Sequence, residues 1–133
     1  MDRRTLILLS ALLASPSGSA APAPALLALP GGGWRIPLAP EAETIPPALL
    51  QPLAELGGRL AEELPGRVTL LSHATGPGLD PSFTRRLALR RALAVEAALA
   101  AGGLARERID LRPLGRATGL DAVDILPPGA RVA

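Results

Sequence analysis

Only two of the 133 residues are aromatic, Trp34 and Phe83, and this limits the kind of core that the chain can build. Tyrosine is absent, while hydrophobic residues make up 48% of the chain. The core therefore has to consist of leucine, isoleucine, valine and alanine side chains. A chain of this length is typical of one domain. We expect a single small domain with an aliphatic core.

The absence of certain residue types excludes several classes of chemistry. Cysteine and lysine do not occur, which rules out disulfides, zinc–thiolate sites, thiol nucleophiles and Schiff-base lysines. His73 is the single histidine, and its neighbour Ser72 would point to the opposite face of a strand. One histidine with scattered carboxylates fits no metal-ligand spacing. We expect no catalytic residue, no cofactor and no metal site, and we interpret His73 as a hydrogen-bonded residue at a strand end.

The overall charge of the chain says little about its binding partners, but one cluster of arginines does. The net charge is only +2, and a nucleic-acid-binding protein would need more basic surface and more stacking aromatic residues. We therefore expect no nucleic acid partner. Four arginines, at positions 85, 86, 90 and 91, fall within seven residues with no acidic residue among them. They form either a solvated helix face or an anion site, since a guanidinium binds carboxylates and phosphates with two parallel hydrogen bonds.

Residues 1–20 have the three parts of a secretory signal peptide. Arg3 and Arg4 precede an apolar run at 5–14, and small residues follow at 15–20. A retained membrane anchor is the alternative, but the apolar run is about half of the roughly 20 residues that a span needs. We expect export to the periplasm or cell envelope, with no membrane span in the mature chain.

Hydrophobic spacing predicts an alternation of strands and helices in the remainder. Alternating or β-branched stretches predict four strands, at 34–38, 67–73, 108–114 and 122–126. Pro37 would confine the first of these to the sheet edge. Leucines spaced three and four apart predict a helix at 46–64. A second predicted helix at 81–101 has Asp80 as its N-cap, an apolar face that includes Phe83, and Gly102 as its stop. The order β-α-β-α-β-β predicts an α+β fold of two layers, with a small mixed sheet and both helices on one face.

Domain bounds follow from composition. Residues 21–33 are rich in alanine, proline and glycine and are expected to be a leader without regular structure. We expect the domain itself to cover 34–128, followed by a tail at 129–133.

Several segments resemble the OmpA-like (OmpA/MotB/Pal) C-terminal domain. Residues 68–76 (VTLLSHATG) are similar to that family's strand and "G-H-T-D-x-x-G" loop. Residues 86–95 (RLALRRALAV) are similar to its "R-L-S-x-x-R-A-x-x-V" helix, and 99–104 to the helix end "L-x-x-x-G-I". Residues 105–109 and 114–115 resemble "x-x-x-R-I-x-x-x-G-x-G". The likeness is best over 68–115, and the family's element order matches the predicted one.

The resemblance implies non-covalent binding of the peptidoglycan stem peptide. Family members hold the diaminopimelate carboxylate with the arginine of "R-A", which corresponds to Arg91, and the amino end with the aspartate of "T-D". Thr75 stands at that aspartate's position, and Asp80 is the nearest carboxylate along the loop. The closing "N-R-R-V" is replaced by residues 120–124. The ligand site implied by the resemblance consists of Arg91, Thr75, Asp80, Ala74 and Gly76.

Two functions are open at this point. The first is an exported envelope protein that binds peptidoglycan without enzymatic activity. The second is a degenerate OmpA-like module that serves as a periplasmic protein-interaction or structural domain, with other envelope proteins as its partners.

Overall fold

The computed structural model describes residues 24–75 and 80–131. Two α-helices and five strands follow one another in the order β1-β2-α1-β3-α2-β4-β5. The strands are β1 (Leu27–Ala28), β2 (Trp34–Pro37), β3 (Val68–His73), β4 (Ile109–Gly115) and β5 (Ala122–Leu126), and the helices are α1 (Leu50–Glu63) and α2 (Pro81–Ala101). Short 3-10 turns cover Pro47–Leu49, Arg106–Arg108 and Arg116–Thr118.

The five strands form one mixed sheet in the order β1-β2-β5-β3-β4. β3 and β4 run parallel, because α2 carries the chain back between them, whereas the other neighbours are antiparallel. β5, the last strand in sequence, lies between β2 and β3 and thereby brings its first residues beside the end of β3.

Both helices cover one face of the sheet and enclose an aliphatic core. α2 packs against β3, β4 and α1. The core is formed by side chains from all these elements, including Ile36, Leu53, Leu70, Val95 and Ile125. Leucines 49, 53, 56 and 60 are buried, as their spacing predicts, whereas Leu64, the last member of the same predicted stripe, is 39% exposed because the helix ends at Glu63. The predicted two-layer α+β fold is confirmed.

The close contact between the two helices depends on two glycines. A Cβ atom at Gly57 would lie 2.1 Å from the Leu99 carbonyl oxygen, and one at Gly102 would lie 1.7 Å from the Ala54 carbonyl oxygen. Neither distance is possible, so both positions have to lack a side chain. Gly102, which the sequence suggests only as a helix stop, therefore also sets the distance between the helices.

Three predictions differ from the structure. Part of the expected leader forms β1, whose two residues pair with Trp34 and Arg35 of β2. The first predicted strand is consequently not at the sheet edge, and Pro37 is tolerated because β1 ends before reaching it and β5 alone pairs with it. Phe83 is 37% exposed instead of lying in the core face of α2, because it belongs to the first turn.

The signal-peptide prediction concerns residues outside the described ranges. Within 24–75 and 80–131, no helix is both long enough and apolar enough to cross a membrane.

Candidate functional site

Arg91 lies at the centre of a polar cluster where β3 ends. Its place is set by α2, whose buried stripe includes Leu87 and Val95 on either side of it. The Arg91 side chain therefore points inward and has no exposed surface. Burial of an arginine without partners would be very costly, so its hydrogen bonds decide what this residue can do.

Every N–H group of the Arg91 guanidinium donates a hydrogen bond within the chain. Nε donates to the carbonyl oxygen of Ala42 at 2.7 Å, and Nη2 donates to those of Ala39 and Pro40 at 2.9 and 3.0 Å. Nη1 donates to the His73 carbonyl oxygen at 2.8 Å and to Oδ1 of Asp121 at 2.9 Å. A guanidinium has five N–H donors, and all five are used. No donor is left for a ligand in this arrangement.

The Asp121 carboxylate connects Arg91 to the loop after β3. Oδ1 accepts the Thr75 backbone N–H at 3.0 Å in addition to Arg91, and Oδ2 accepts the Thr75 hydroxyl at 2.5 Å. The Asp121 side chain is 11% exposed. Three donors thus converge on one carboxylate that is mostly but not fully buried.

The charge of Asp121 is maintained by these bonds. Burial raises the pKa of the Asp121 carboxyl, but the hydrogen bonds from Thr75 and Arg91 outweigh burial and leave the pKa below its ordinary value. Asp121 is therefore an anion at neutral pH, and it neutralises Arg91.

A second polar cluster lies on the sheet face that the helices leave free. Arg35 donates two hydrogen bonds to Asp124, from Nε at 2.6 Å and from Nη2 at 2.9 Å. The His73 ring lies between Asp124, 3.1 Å from Nε2, and the Thr118 hydroxyl, 2.8 Å from Nδ1. The interpretation of His73 as a hydrogen-bonded residue at a strand end is confirmed.

The implied ligand residues occupy different environments. Ala74 is buried, and its N–H donates to the Gly115 carbonyl oxygen. Asp80 is exposed and is the N-cap of α2, as predicted, since its carboxylate accepts the Ser82 N–H. Arg91 and Thr75 are brought together, through Asp121, and Gly76 lies outside the described residues.

The sequence patterns do not indicate Asp121, and Asp80 is the carboxylate that they suggest. The structure instead places Asp121 beside Thr75 because β5 pairs antiparallel with β3, with Ala122 opposite His73. Asp121, one residue before Ala122, therefore lies next to the loop that begins at Ala74. The replacement of "N-R-R-V" by residues 120–124 is the one sequence feature that marks this segment as unusual, and it does not by itself indicate a contact with Thr75.

No protein-family model matches the sequence, and no curated protein matches it. Among solved structures, the peptidoglycan-associated lipoprotein from Burkholderia pseudomallei is similar at a TM-score of 0.60 and 15% identity, over 69% of this chain and 87% of that one. The OmpA-like domain of FopA1 from Francisella tularensis gives 0.56 and 14%, over 78% and 80%. The periplasmic domain of Helicobacter pylori MotB gives 0.55 and 13%, over 77% and 84%. The chain has the OmpA-like fold.

Proposed function

We propose that this chain is an exported, non-enzymatic module of the cell envelope, and that its OmpA-like domain contacts other proteins instead of holding a stem-peptide carboxylate. One observation carries the proposal: all five donors of the fully buried Arg91 are bonded within the chain. Export is supported by the signal-peptide pattern at 1–20.

Asp121 takes the place that the resemblance gives to the ligand. A ligand carboxylate held by Arg91 and the 74–76 loop would have to meet the guanidinium and the Thr75 N–H, and Asp121 already accepts both. The chain's own carboxylate is present at a very high effective concentration. A free carboxylate therefore has to displace an intramolecular one, which disfavours its binding.

Sedimentation with purified peptidoglycan tests this proposal. The full chain is mixed with peptidoglycan and centrifuged, with the Burkholderia peptidoglycan-associated lipoprotein as a positive control. We expect the wild-type chain to stay in the supernatant. Wild-type chain that sediments, and that free diaminopimelate releases, would contradict the proposal.

Peptidoglycan binding is the second candidate, favoured by the fold shared with a peptidoglycan-associated lipoprotein. Asp121 offers it a chemical basis, because Oδ2 accepts a single hydrogen bond from the described residues and the side chain is partly exposed. That oxygen could accept a bond from the stem-peptide ammonium. In this case Asp121→Asn, which removes the charge, would release the chain from peptidoglycan, whereas Asp80→Asn would not.

A further inference from the structure

The outward face of α2 carries two arginines that have no partner among the residues that the structure describes. Neither Arg85 nor Arg86 makes an ion pair or a side-chain hydrogen bond to any residue in the described ranges. Both are exposed and follow a first turn that contains no acidic residue. Two positive charges near the positive end of the helix dipole gain nothing from it.

The arrangement also brings like charges together. Arg86 and Arg90 are four residues apart and therefore neighbours on the helix surface, where like charges destabilise a helix. Glu43 offsets Arg90, with a distance of 2.6 Å between Oε1 and Nη1, but it does not pair with Arg86. Folding does not explain the position of Arg86, which suggests a role in binding.

Two hollows flank Arg86, one lined mainly by apolar atoms and one lined by polar and apolar atoms in about equal measure. A cavity of about 330 Å³ is lined by Ser82, Arg85, Arg86, Leu89 and Pro113. A smaller cavity of about 110 Å³ lies beside it and is lined by Phe83, Arg86, Leu87 and Arg90. Leu89 and Phe83, one in each cavity, are 39% and 37% exposed. The Arg86 guanidinium thus lies between two hollows, each of which offers an apolar contact to a side chain of another molecule.

We propose that this surface, formed by Phe83, Arg85, Arg86 and Leu89 of α2 with Pro113 of β4, docks an acidic peptide segment of a partner protein. A carboxylate of the segment pairs with Arg86, and apolar side chains on either side of that carboxylate enter the two cavities. Arg85 pairs with a second acidic group. The inference rests on the proposed function as a protein-contacting module, to which it adds a surface and a partner chemistry.

The shape of the surface favours a peptide over an anionic membrane. A membrane surface matches a broad, convex apolar patch ringed by cations. Here the apolar side chains instead lie in two separate shallow hollows, Leu89 and Pro113 on one side of a single guanidinium and Phe83 and Leu87 on the other. Concave sites of this kind recognise single side chains at a fixed spacing.

Peptide selection against the full chain tests the proposal. A phage-displayed library of random 12-residue peptides is selected on the immobilised wild-type chain, and enriched peptides are labelled for fluorescence anisotropy. We expect peptides in which acidic residues alternate with leucine or aromatic residues. Arg85→Glu/Arg86→Glu should weaken their binding by about tenfold or more, because attraction becomes repulsion.

Arg59→Glu is the matched control, since Arg59 is also exposed and without a partner among the described residues but belongs to α1. Its binding should equal that of the wild type. Enriched peptides without acidic residues, equal weakening by both variants, or binding to phosphatidylglycerol vesicles with no peptide enriched would overturn the proposal. Sedimentation of the wild type with peptidoglycan, with the peptide result intact, would overturn the proposed function but not this surface.

Discussion

Helix α2 carries two opposite kinds of arginine within seven residues. Arg91 has no exposed surface and donates five hydrogen bonds within the chain. Arg85 and Arg86 are exposed and make no ion pair in the part of the chain that the structure describes. The difference follows from helical periodicity, because Arg91 lies one turn after buried Leu87 whereas Arg85 and Arg86 lie off that stripe.

This comparison separates two roles that one residue type can have. A buried guanidinium with all donors used stabilises the fold and holds four segments of the chain together, through residues 39–42, His73, α2 and Asp121. An exposed guanidinium without a partner contributes little to stability and is available to another molecule. The arginine that the family resemblance assigns to a ligand is therefore the one least available to it.

Arg91→Ala should have the largest effect on stability. Removal of the guanidinium takes away the cation that neutralises Asp121 and one donor from each of four carbonyl oxygens, so we expect a loss of about 3–5 kcal/mol in the free energy of unfolding. Urea denaturation followed by circular dichroism measures it, with Arg86→Ala as the control, expected within about 0.5 kcal/mol of wild type. Arg91→Lys provides a graded value if Arg91→Ala does not fold. Equal effects at positions 91 and 86 would refute the distinction.

Asp121→Ala tests the carboxylate that Arg91 and Thr75 share. We expect a loss of about 1.5–3 kcal/mol, because the charged hydrogen bonds to it disappear while Arg91 keeps its carbonyl partners. Sodium acetate should restore part of the loss by binding in the vacated position, and sodium chloride at equal ionic strength should not. Identical unfolding midpoints in the two salts would show that the donors do not form a carboxylate site.

The pH dependence of stability tests the ion pair between Arg35 and Asp124. The Arg35 side chain is 33% exposed, which is more than Arg91 and less than the exposed arginines. Burial raises the pKa of the Asp124 carboxyl, but hydrogen bonds from Arg35 and His73 outweigh it and hold the pKa at about 2. Since this folded-state pKa lies below the unfolded value of about 3.9, Asp124 stabilises the fold above pH 4 by about 2 kcal/mol. That stabilisation is lost as the pH falls from 4 towards 2.

Chemical denaturation at several pH values, comparing wild type with Asp124→Asn, isolates this contribution. The difference between the two free energies of unfolding should shrink as the pH falls through this window. A difference that stays constant from pH 6 to pH 2.5 would contradict the assignment.

Ser72→Ala should have the smallest effect on stability. Arg91 is a buried polar group with all its hydrogen bonds made, whereas Ser72 is a buried polar group with no hydrogen-bond partner among the described residues. The Ser72 hydroxyl has no hydrogen-bond partner among the described residues and no exposed surface. Its removal should leave stability unchanged or raise it by up to about 1 kcal/mol. Thr84→Val is the control, because the Thr84 hydroxyl donates to the Pro81 carbonyl oxygen, and should cost about 1 kcal/mol. A larger loss for Ser72→Ala than for Thr84→Val would show that Ser72 is bonded.

Local patterns predict the fold well, since each depends on neighbours in sequence. Leucine spacing gives α1, Asp80 and Gly102 mark the limits of α2, and β5 is predicted over the range observed. β1 is not predictable in this way, because two residues become a strand only through pairing with β2.

The polar cluster depends on contacts between distant residues. Asp121 and Thr75 are 46 residues apart in sequence, and they meet only because β5 pairs with β3 in one particular register. The sequence places Arg91 near the buried side of α2, but it does not reveal the carbonyl groups at 39–42 that use its donors. The sequence thus identifies Arg91 as the arginine at the family's ligand position, but it does not show whether Arg91 has donors free for a ligand.

The most direct test of these two kinds of arginine is hydrogen exchange of the guanidinium Nε–H groups, measured by NMR on ¹⁵N-labelled protein and assigned with Arg91→Lys and Arg86→Ala. The Arg91 Nε–H should exchange far more slowly than those of Arg85 and Arg86, and excess diaminopimelate should not shift its resonance. Two results would contradict the claim that Arg91 uses all its donors within the chain. One is an Arg91 Nε–H that exchanges as fast as those of the exposed arginines, and the other is an Arg91 resonance that shifts saturably with added diaminopimelate.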